Sequence, residues 1–391
     1  MRFAECGLSP RLTEALAGLG IAEPRPVQAL AIAPALAGRD LLVLSPTGSG
    51  KTIAFAAPIL DRLASEEVAR ATRTGLGHPT AAALQALVLV PTRELAVQVG
   101  SVFEGISGRL GLARRPRVRV AHGGVSINPQ MLALRAGAEV LVATPGRLLD
   151  LARHNALRLG GLRWLVLDEA DRMLAEGFSD ELAAILALLP APRQSLLFSA
   201  TFTPEAAAVL APLLRDPLRL GEEAPPSGGD IAHRAYAVAN DEKGPALRRL
   251  IGEGGWDRIL VFASSNRRTD NVARKLSNNG IAALALHGDL SQAARTKGLD
   301  DFKAGRIRVL VASDLASRGL DIESLPCVIN YELPRSALDY VHRAGRTGRA
   351  GRDGLVLSLI APEEEAMLRL VRKRSGLRIP LESLPALPEG C

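Results

Sequence analysis

The sequence predicts an α/β protein of two tandem domains, each a mostly parallel sheet flanked by helices. Three observations carry that prediction. The chain has 391 residues, too many for one typical hydrophobic core and suited to two of similar size. Short apolar runs alternate with helix-like stretches along its whole length, the pattern of strands buried on both faces by helices. Between the halves, Gly221 to Asp230 reads GEEAPPSGGD, a stretch of Gly, Pro, Ser and acids that suits a linker over residues 221–230.

Taken in order, residues 1–29 form a leading segment and residues 30–220 the first domain. Its strands are expected near Leu41 to Leu44, Ala86 to Val90, Val118 to Ala121, Val140 to Ala143, Trp164 to Leu167 and Ser195 to Phe198. The second domain, residues 231–391, repeats the pattern near Ile259 to Phe262, Ala282 to Leu286, Val309 to Ala312, Cys327 to Asn330 and Leu355 to Leu359. Runs this short, bounded by Gly, Pro or polar residues, read as buried strands rather than helices.

Apolar residues make up 47% and charged residues 23%, which excludes a mainly disordered chain. Lys and Arg number 48 against 41 Asp and Glu, a net charge of +7 with pI near 9.7. That balance favours a polyanionic partner without proving one. Cys6, Cys327 and Cys391 lie too far apart for metal-ligand spacing and point to a reduced compartment. No signal-peptide pattern and no run of about eighteen apolar residues is seen, so the expected location is the cytoplasm. Arg369 to Arg378 hold five basic side chains, read as a solvated helix face.

Chemistry enters at residues 45 to 52, Ser45-Pro46-Thr47-Gly48-Ser49-Gly50-Lys51-Thr52, between an apolar strand and a helical stretch. A Gly-rich turn into a helix points backbone N–H groups at phosphate oxygens, Lys51 adds charge at the β and γ phosphates, and Thr52 can hold magnesium. Farther on, Asp168-Glu169-Ala170-Asp171 follows the apolar run Trp164 to Leu167. A carboxylate at the end of a buried strand can supply a second magnesium contact, the role open to Asp168, while Glu169 can polarise the attacking water. A nucleoside triphosphate and Mg2+ are thus the expected cofactors, with hydrolysis the expected reaction.

With these motifs in order, the chain resembles the DEAD-box ATP-dependent RNA helicases of superfamily 2 over nearly its whole length. Gly123 to Gln130, GGVSINPQ, and Asn330-Tyr331-Glu332-Leu333-Pro334 suggest its bacterial RhlE-like branch. The resemblance implies two RecA-like domains that close over ATP and single-stranded RNA and separate short duplexes locally.

It also implies residue roles. Gly20 to Gln28, GIAEPRPVQ, is similar to the adenine-reading motif; Gln28 has the donor and acceptor that suit the adenine edge, and Phe3 matches an aromatic that stacks on the base. Ile21 and Arg25 depart from the usual aromatic and Thr. RNA contacts in the first domain are expected from Pro91, Thr92 and Arg93, from Gly123 and Gly124, and from Thr144, Pro145, Gly146 and Arg147. Backbone N–H groups at such turns, with the two arginines, hold phosphates without reading bases. Aromatics are only 3% of the chain, which argues against base-stacking platforms.

In the second domain His287, Gly288, Gln292, Arg295, Ser313 and Asp314 are the expected RNA contacts, and Gly319 and Asp321 reach the nucleotide. Ser264 and Ser265 stand where the family has Thr-Lys. In HRAGRTGR, His342 to Arg349, Arg346 and Arg349 match the γ-phosphate fingers, His342 a coupling residue, and Ala344 replaces Ile. Ser199 and Thr201, with Asp171, match the triplet that links the ATP site to duplex separation. His122 and His233 are expected to be structural.

The expected partner is RNA, single-stranded or short duplex, read with little sequence preference. Ribosomal or RNA-decay proteins are the expected protein partners, no membrane partner is expected, and a monomer is expected. An ATP-gated RNA clamp or assembly factor is the alternative, and a DNA translocase of the same superfamily a third; strand displacement and the comparison of RNA with DNA separate them.

Overall fold

The computed structural model describes residues 1–46, 48–74, 83–175, 177–202, 204–221, 231–314, 325–348 and 353–384. The chain divides into two compact units, residues 1–224 and 225–391. Among the described residues no helix is long and apolar enough to cross a membrane.

The first unit holds β1 (Leu41–Leu44), β2 (Ala86–Leu89), β3 (Val118–Ala121), β4 (Val140–Ala143), β5 (Trp164–Leu167), β6 (Gln194–Ser199) and β7 (Leu218–Gly221). Nine helices accompany them among the described residues: α1 (Pro10–Ala17), α2 (Pro26–Leu36), α3 (Lys51–Thr74), α4 (Arg93–Ser107), α5 (Ile127–Arg135), α6 (Pro145–Arg153), α7 (Ala170–Ala175), α8 (Ser179–Leu188) and α9 (Pro204–Leu210). The sheet is parallel, in the order β3-β4-β2-β5-β6-β1-β7.

Alternation along each strand decides which face a side chain enters. Leu41, Val43, Ala86, Val88, Val140, Val142 and Val166 join one core with Phe55, Phe103 and α1 to α4. Their neighbours Leu42, Leu44, Leu87, Leu89, Leu141, Leu165 and Leu167 join the other, beneath α6 to α9. Each buried Leu or Val contributes about 1.5–3 kcal/mol, so both faces favour one register.

The second unit repeats the plan. Its strands are β8 (Ile231–Ala237), β9 (Ile259–Ala263), β10 (Ala283–Leu286), β11 (Val309–Ser313), β12 (Cys327–Asn330), β13 (Gly354–Ile360) and β14 (Leu381–Ser383). Its helices, among the described residues, are α10 (Lys243–Gly254), α11 (Asn266–Asn278), α12 (Gln292–Lys303), α13 (Ala337–Ala344) and α14 (Glu365–Ser375). The order β10-β11-β9-β12-β13-β8-β14 is that of the first sheet, strand for strand. Every expected strand is present, and three unexpected ones, β7, β8 and β14, complete the sheets near one edge. Of the expected linker, Gly221 ends β7, and residues 222–230 lie outside the described residues.

Candidate functional site

The phosphate loop runs from the end of β1 to the first residue of α3. Gly48 and Gly50 take positive φ of 78° and 95°, a region open to Gly at little cost. A Cβ on Gly50 would also lie 2.5 Å from Gln28 Nε2. Ser45 Oγ donates to Ser49 Oγ at 2.7 Å, and the buried Lys51 Nζ donates to the carbonyls of Ser45 at 2.8 Å and Pro46 at 3.3 Å. Thr52 is the second residue of α3, whose first-turn N–H groups have no intrahelical acceptor and suit phosphate oxygens. Thr47 lies outside the described residues.

Two strands from β1, the acidic box leaves β5 and opens α7. Asp168 accepts from Glu169 N–H at 3.0 Å and is buried. Burial pushes its carboxyl up to about 6, with the charges of Glu169 and Asp171 adding to the rise and Lys51 opposing it. Glu169 sits at φ 53° and is paired with Arg172 at 2.7 Å, both side chains under a tenth exposed. Arg172 was not foreseen, although its i, i+3 spacing from Glu169 signals a same-face ion pair.

Asp171 meets the end of β6. Its N–H donates to Ser199 Oγ at 3.2 Å, and its carboxylate accepts from Thr201 N–H at 3.2 Å and Thr201 Oγ1 at 3.1 Å. Ser199 Oγ in turn donates to the Thr201 carbonyl at 2.6 Å. Ser199, Thr201 and Asp171 therefore form one hydrogen-bonded group beside Asp168 and Glu169.

Gln28, in the first turn of α2, is 1% exposed. Its Oε1 accepts from Arg25 N–H at 2.9 Å and its Nε2 donates to the Gly50 carbonyl at 3.0 Å, while Arg25 Nη1 donates to the Gly48 carbonyl at 2.7 Å. The departure at Arg25 thus ties the leading segment to the phosphate loop. Phe3 is 0% exposed and lies within the first core.

Beyond the end of β2, Pro91 and Thr92 precede α4, and Thr92 Oγ1 caps it by accepting from Leu95 N–H at 3.2 Å. Gly124 has φ 77°, and a Cβ there would lie 1.8 Å from Arg93 Nη1; Gly123 stands beside the same guanidinium. Thr144 is the N-cap and Pro145 the first residue of α6, and the space a Gly146 side chain would enter is open. Arg147 Nη2 donates to the Val125 carbonyl at 2.9 Å, while its Nε and Nη1 are buried without hydrogen-bond partners. Arg93, Arg147, Gly123 and Gly124 of the expected RNA set therefore meet at one loop. His122, with Nδ1 3.0 Å from the Gly123 carbonyl, is part of its backbone bonding.

In the second unit, His287 Nε2 lies 2.9 Å from Asp270 Oδ1, and Gly288 follows it. Gln292 begins α12, of which the buried Arg295 is also part. Ser313 ends β11, buried. Asp314 follows it, its carboxylate gripped by Arg343, Nε to Oδ1 at 2.6 Å and Nη2 to Oδ2 at 2.7 Å. Arg343 also donates to Asn330 Oδ1 and the Glu332 carbonyl and stacks 4.7 Å from the Phe262 ring centroid. His342 lies on α13, and the buried Arg346 follows in the turn, where its carbonyl accepts from Leu325 N–H at 3.1 Å. Gly319, Asp321 and Arg349 lie outside the described residues.

Ser265 caps α11, and Ser264 N–H donates to Glu332 at 2.7 Å. His233 is structural: its Nδ1 is 3.1 Å from Tyr340 Oη, and burial pushes its pKa down to about 4.

Among the described residues no group of three His, Cys, Asp or Glu side chains is arranged to hold a metal. Magnesium needs only one or two protein oxygens, with phosphate and water completing its shell. The buried Asp168, crowded by like charges, is the carboxylate that a cation would relieve.

Comparison with known proteins agrees with this geometry. The family described as DEAD/DEAH box helicase matches residues 25–209, and the helicase conserved C-terminal domain matches residues 242–351. The ATP-dependent RNA helicase CshA of Limosilactobacillus reuteri is 37% identical over 97% of this chain and 73% of its own length. CshA of Bacillus subtilis is 35% identical over 99% of this chain and 75% of its own. The structure of S. cerevisiae Dbp5 bound to RNA and ADP BeF3 is similar with a TM-score of 0.79 and 28% identity, over 98% of this chain and 95% of that one. Mss116p bound to ssRNA and AMP-PNP, 23% identical with a TM-score of 0.83 over 98% of this chain and 79% of that one, shares the fold. These relatives do not single out the RhlE-like branch. Two tandem RecA-like sheets, a phosphate loop facing an acidic box, and similarity along the whole chain make this protein a member of the DEAD-box family of ATP-dependent RNA helicases.

Proposed function

We propose that this chain hydrolyses ATP to ADP and phosphate while holding single-stranded RNA by its backbone, and that it separates short duplexes locally. The observation that carries the proposal is the hydrogen-bonded group Ser199, Thr201 and Asp171 next to the buried Asp168 and Glu169. It gives a hydrolytic site a direct mechanical link to a neighbouring strand end.

In this reading Lys51 leaves the carbonyls of Ser45 and Pro46 for the β and γ phosphates, and the N–H groups of residues 48–52 cradle the same oxygens. Thr52 and Asp168 would hold magnesium, which when bound neutralises charge on the phosphate oxygens. Glu169 orients the attacking water once Arg172 yields. Gln28 reads the adenine edge through the second lone pair of its carbonyl and its remaining N–H. Arg93, Arg147 and the N–H groups at Gly123, Gly124 and Gly146 hold RNA phosphates, with His287, Gly288, Gln292, Arg295 and Ser313 as the contacts of the second unit. Arg346 and Arg349 supply charge to the γ phosphate, a contribution of about 10³ to 10⁵ in rate in related phosphoryl transfers. ATP and RNA each raise the affinity of the other, by linkage. The working form is a cytoplasmic monomer, with ribosomal or RNA-decay proteins as partners.

The test is the ATPase rate with and without single-stranded RNA, against DNA of matched sequence, for the parent and Arg346→Ala. Stimulation by RNA alone, lost in the variant, is expected. Equal stimulation by both polymers would overturn RNA specificity. Release of a strand from a short duplex then separates helicase action from an ATP-gated clamp, which binds RNA yet displaces nothing.

A further inference from the structure

We infer that Gln130 is a positioning residue for RNA, setting the loop against which Arg93 and Arg147 are held. The inference rests on the RNA reading above and adds a residue to it.

The strand β3 is at the edge of its sheet. Its ladder to β4 ends where Thr144 N–H donates to the Ala121 carbonyl at 3.1 Å. The N–H and carbonyl of the next residue, His122, alternate to the other side, where no strand lies. Gln130 of α5 takes that place. Its Oε1 accepts from His122 N–H at 3.1 Å, and its Nε2 donates to the His122 carbonyl at 3.2 Å and the Ser126 carbonyl at 3.3 Å. One side-chain amide thus serves as a surrogate peptide group, a task suited to Asn or Gln, whose planar amide carries a carbonyl acceptor and an N–H donor side by side. Asn is shorter by a methylene.

What the amide fixes is the segment 122–126. Gly124 there holds φ 77° over the Arg93 guanidinium, and the Val125 carbonyl accepts from Arg147 at 2.9 Å. The remaining donors Nε and Nη1 of Arg147 are buried without a hydrogen bond, Nε lying 4.0 Å from Asp150 Oδ2 in an ion pair, so the guanidinium keeps donor capacity for an anion. The helix carrying Gln130 has no fully buried residue; only the partly buried Ile127, Met131 and Leu134 pack against the core. Gln130 is therefore the polar tie that transmits the position of α5 to both arginines.

The test is a titration of RNA-stimulated ATPase with single-stranded RNA, for the parent, Gln130→Met, Arg147→Ala and the double variant. Gln130→Met should raise the half-saturating RNA concentration about tenfold while leaving the rate at saturating RNA and the KM for ATP within about twofold. In the Arg147→Ala background the same change should have a much smaller effect, because both act on one RNA contact. Independent, multiplying effects would overturn the inference, as would a lower saturating rate at unchanged half-saturation. If Gln130→Met does not fold, Gln130→Glu carries the test: it keeps the acceptor for His122 N–H, loses both donations, and should weaken RNA at least as much. A stimulated parent matched by its Gln130 variants overturns this inference alone. A parent that RNA does not stimulate overturns the RNA reading as well.

Discussion

Lys51 and Lys243 occupy the same place in two sheets of identical strand order, each opening the helix that follows the strand next to the β7 or β14 edge. Their surroundings differ. The ammonium of Lys51 rests on the carbonyls of Ser45 and Pro46, whereas that of Lys243 is wholly buried between the Tyr331 carbonyl and the Glu364 carboxylate. Glu364 also accepts from the N–H groups of Leu333 and Ala361. In the first unit the lysine rests on neutral carbonyls; in the second a carboxylate within the protein neutralises it.

The two lysines should therefore fail differently. Lys51→Met should lose ATP turnover with little change in stability. Lys243→Met leaves Glu364 without its cation and should destabilise the second unit by about 3 kcal/mol, as for other broken buried pairs. Denaturant unfolding of both variants beside their ATPase rates checks this. An unchanged unfolding midpoint for Lys243→Met would sink the assignment.

Ser199→Ala deletes the acceptor for Asp171 N–H and the donor to the Thr201 carbonyl. Loss of one buried hydroxyl costs about 1–2 kcal/mol in stability, and the link between the acidic box and Thr201 loosens. Strand release from a short duplex should fall by more than tenfold, with RNA-stimulated ATP turnover reduced far less. Equal loss of the two activities would show that the hydroxyl serves turnover alone.

Gly124→Ala places a methyl group 1.8 Å from Arg93 Nη1, at a φ of 77° that Ala resists. Arg93 must leave its place or the loop must open. The half-saturating RNA concentration should rise by about tenfold, and Arg93→Ala combined with Gly124→Ala should add little further. Fluorescence anisotropy with a labelled single strand, at fixed salt, reads both.

Expected and observed structure part company for physical reasons. Strands with uninterrupted apolar runs, such as Leu41–Leu44 and Trp164–Leu167, are buried on both faces and were legible from composition alone. The strand Leu218–Gly221 alternates half-buried and exposed, Ile231–Ala237 carries His233 and Arg234, and Leu381–Ser383 is wholly exposed; none resembles a buried run. At the site, short-range motifs marked the loops well because backbone geometry is local. Arg343 with Asp314, or Lys243 with Glu364, pair residues far apart in the chain, and no spacing announces them. Phe3 was read by its place in a motif, and its burial in the core is a matter of packing that no motif announces.

Asp168 gives the pH dependence its sign. Its carboxyl is pushed from 3.8 up to about 6, mainly by burial, so ionisation is harder in the folded protein than in the unfolded chain. Below pH 3.8 the group is protonated in both states and has no effect on stability. Between 3.8 and 6 the destabilisation grows as pH rises, and above 6 it is fully present, at roughly 3 kcal/mol as an upper value by linkage. Asp168→Asn keeps an oxygen to accept from Glu169 N–H and cannot ionise. It should therefore make the ligand-free protein more stable by roughly 1–3 kcal/mol at pH 7.5, with the gain vanishing near pH 4, while ATP turnover is lost. His233 acts in the opposite sense, its contribution being lost as pH falls from 6.5 toward about 4, but it is common to parent and variant and cancels in their difference. Denaturant unfolding of the pair at pH 4, 5.5 and 7.5 measures that difference; a gain that persists at pH 4 would assign it to packing, and no gain at pH 7.5 would show that Asp168 ionises there without strain.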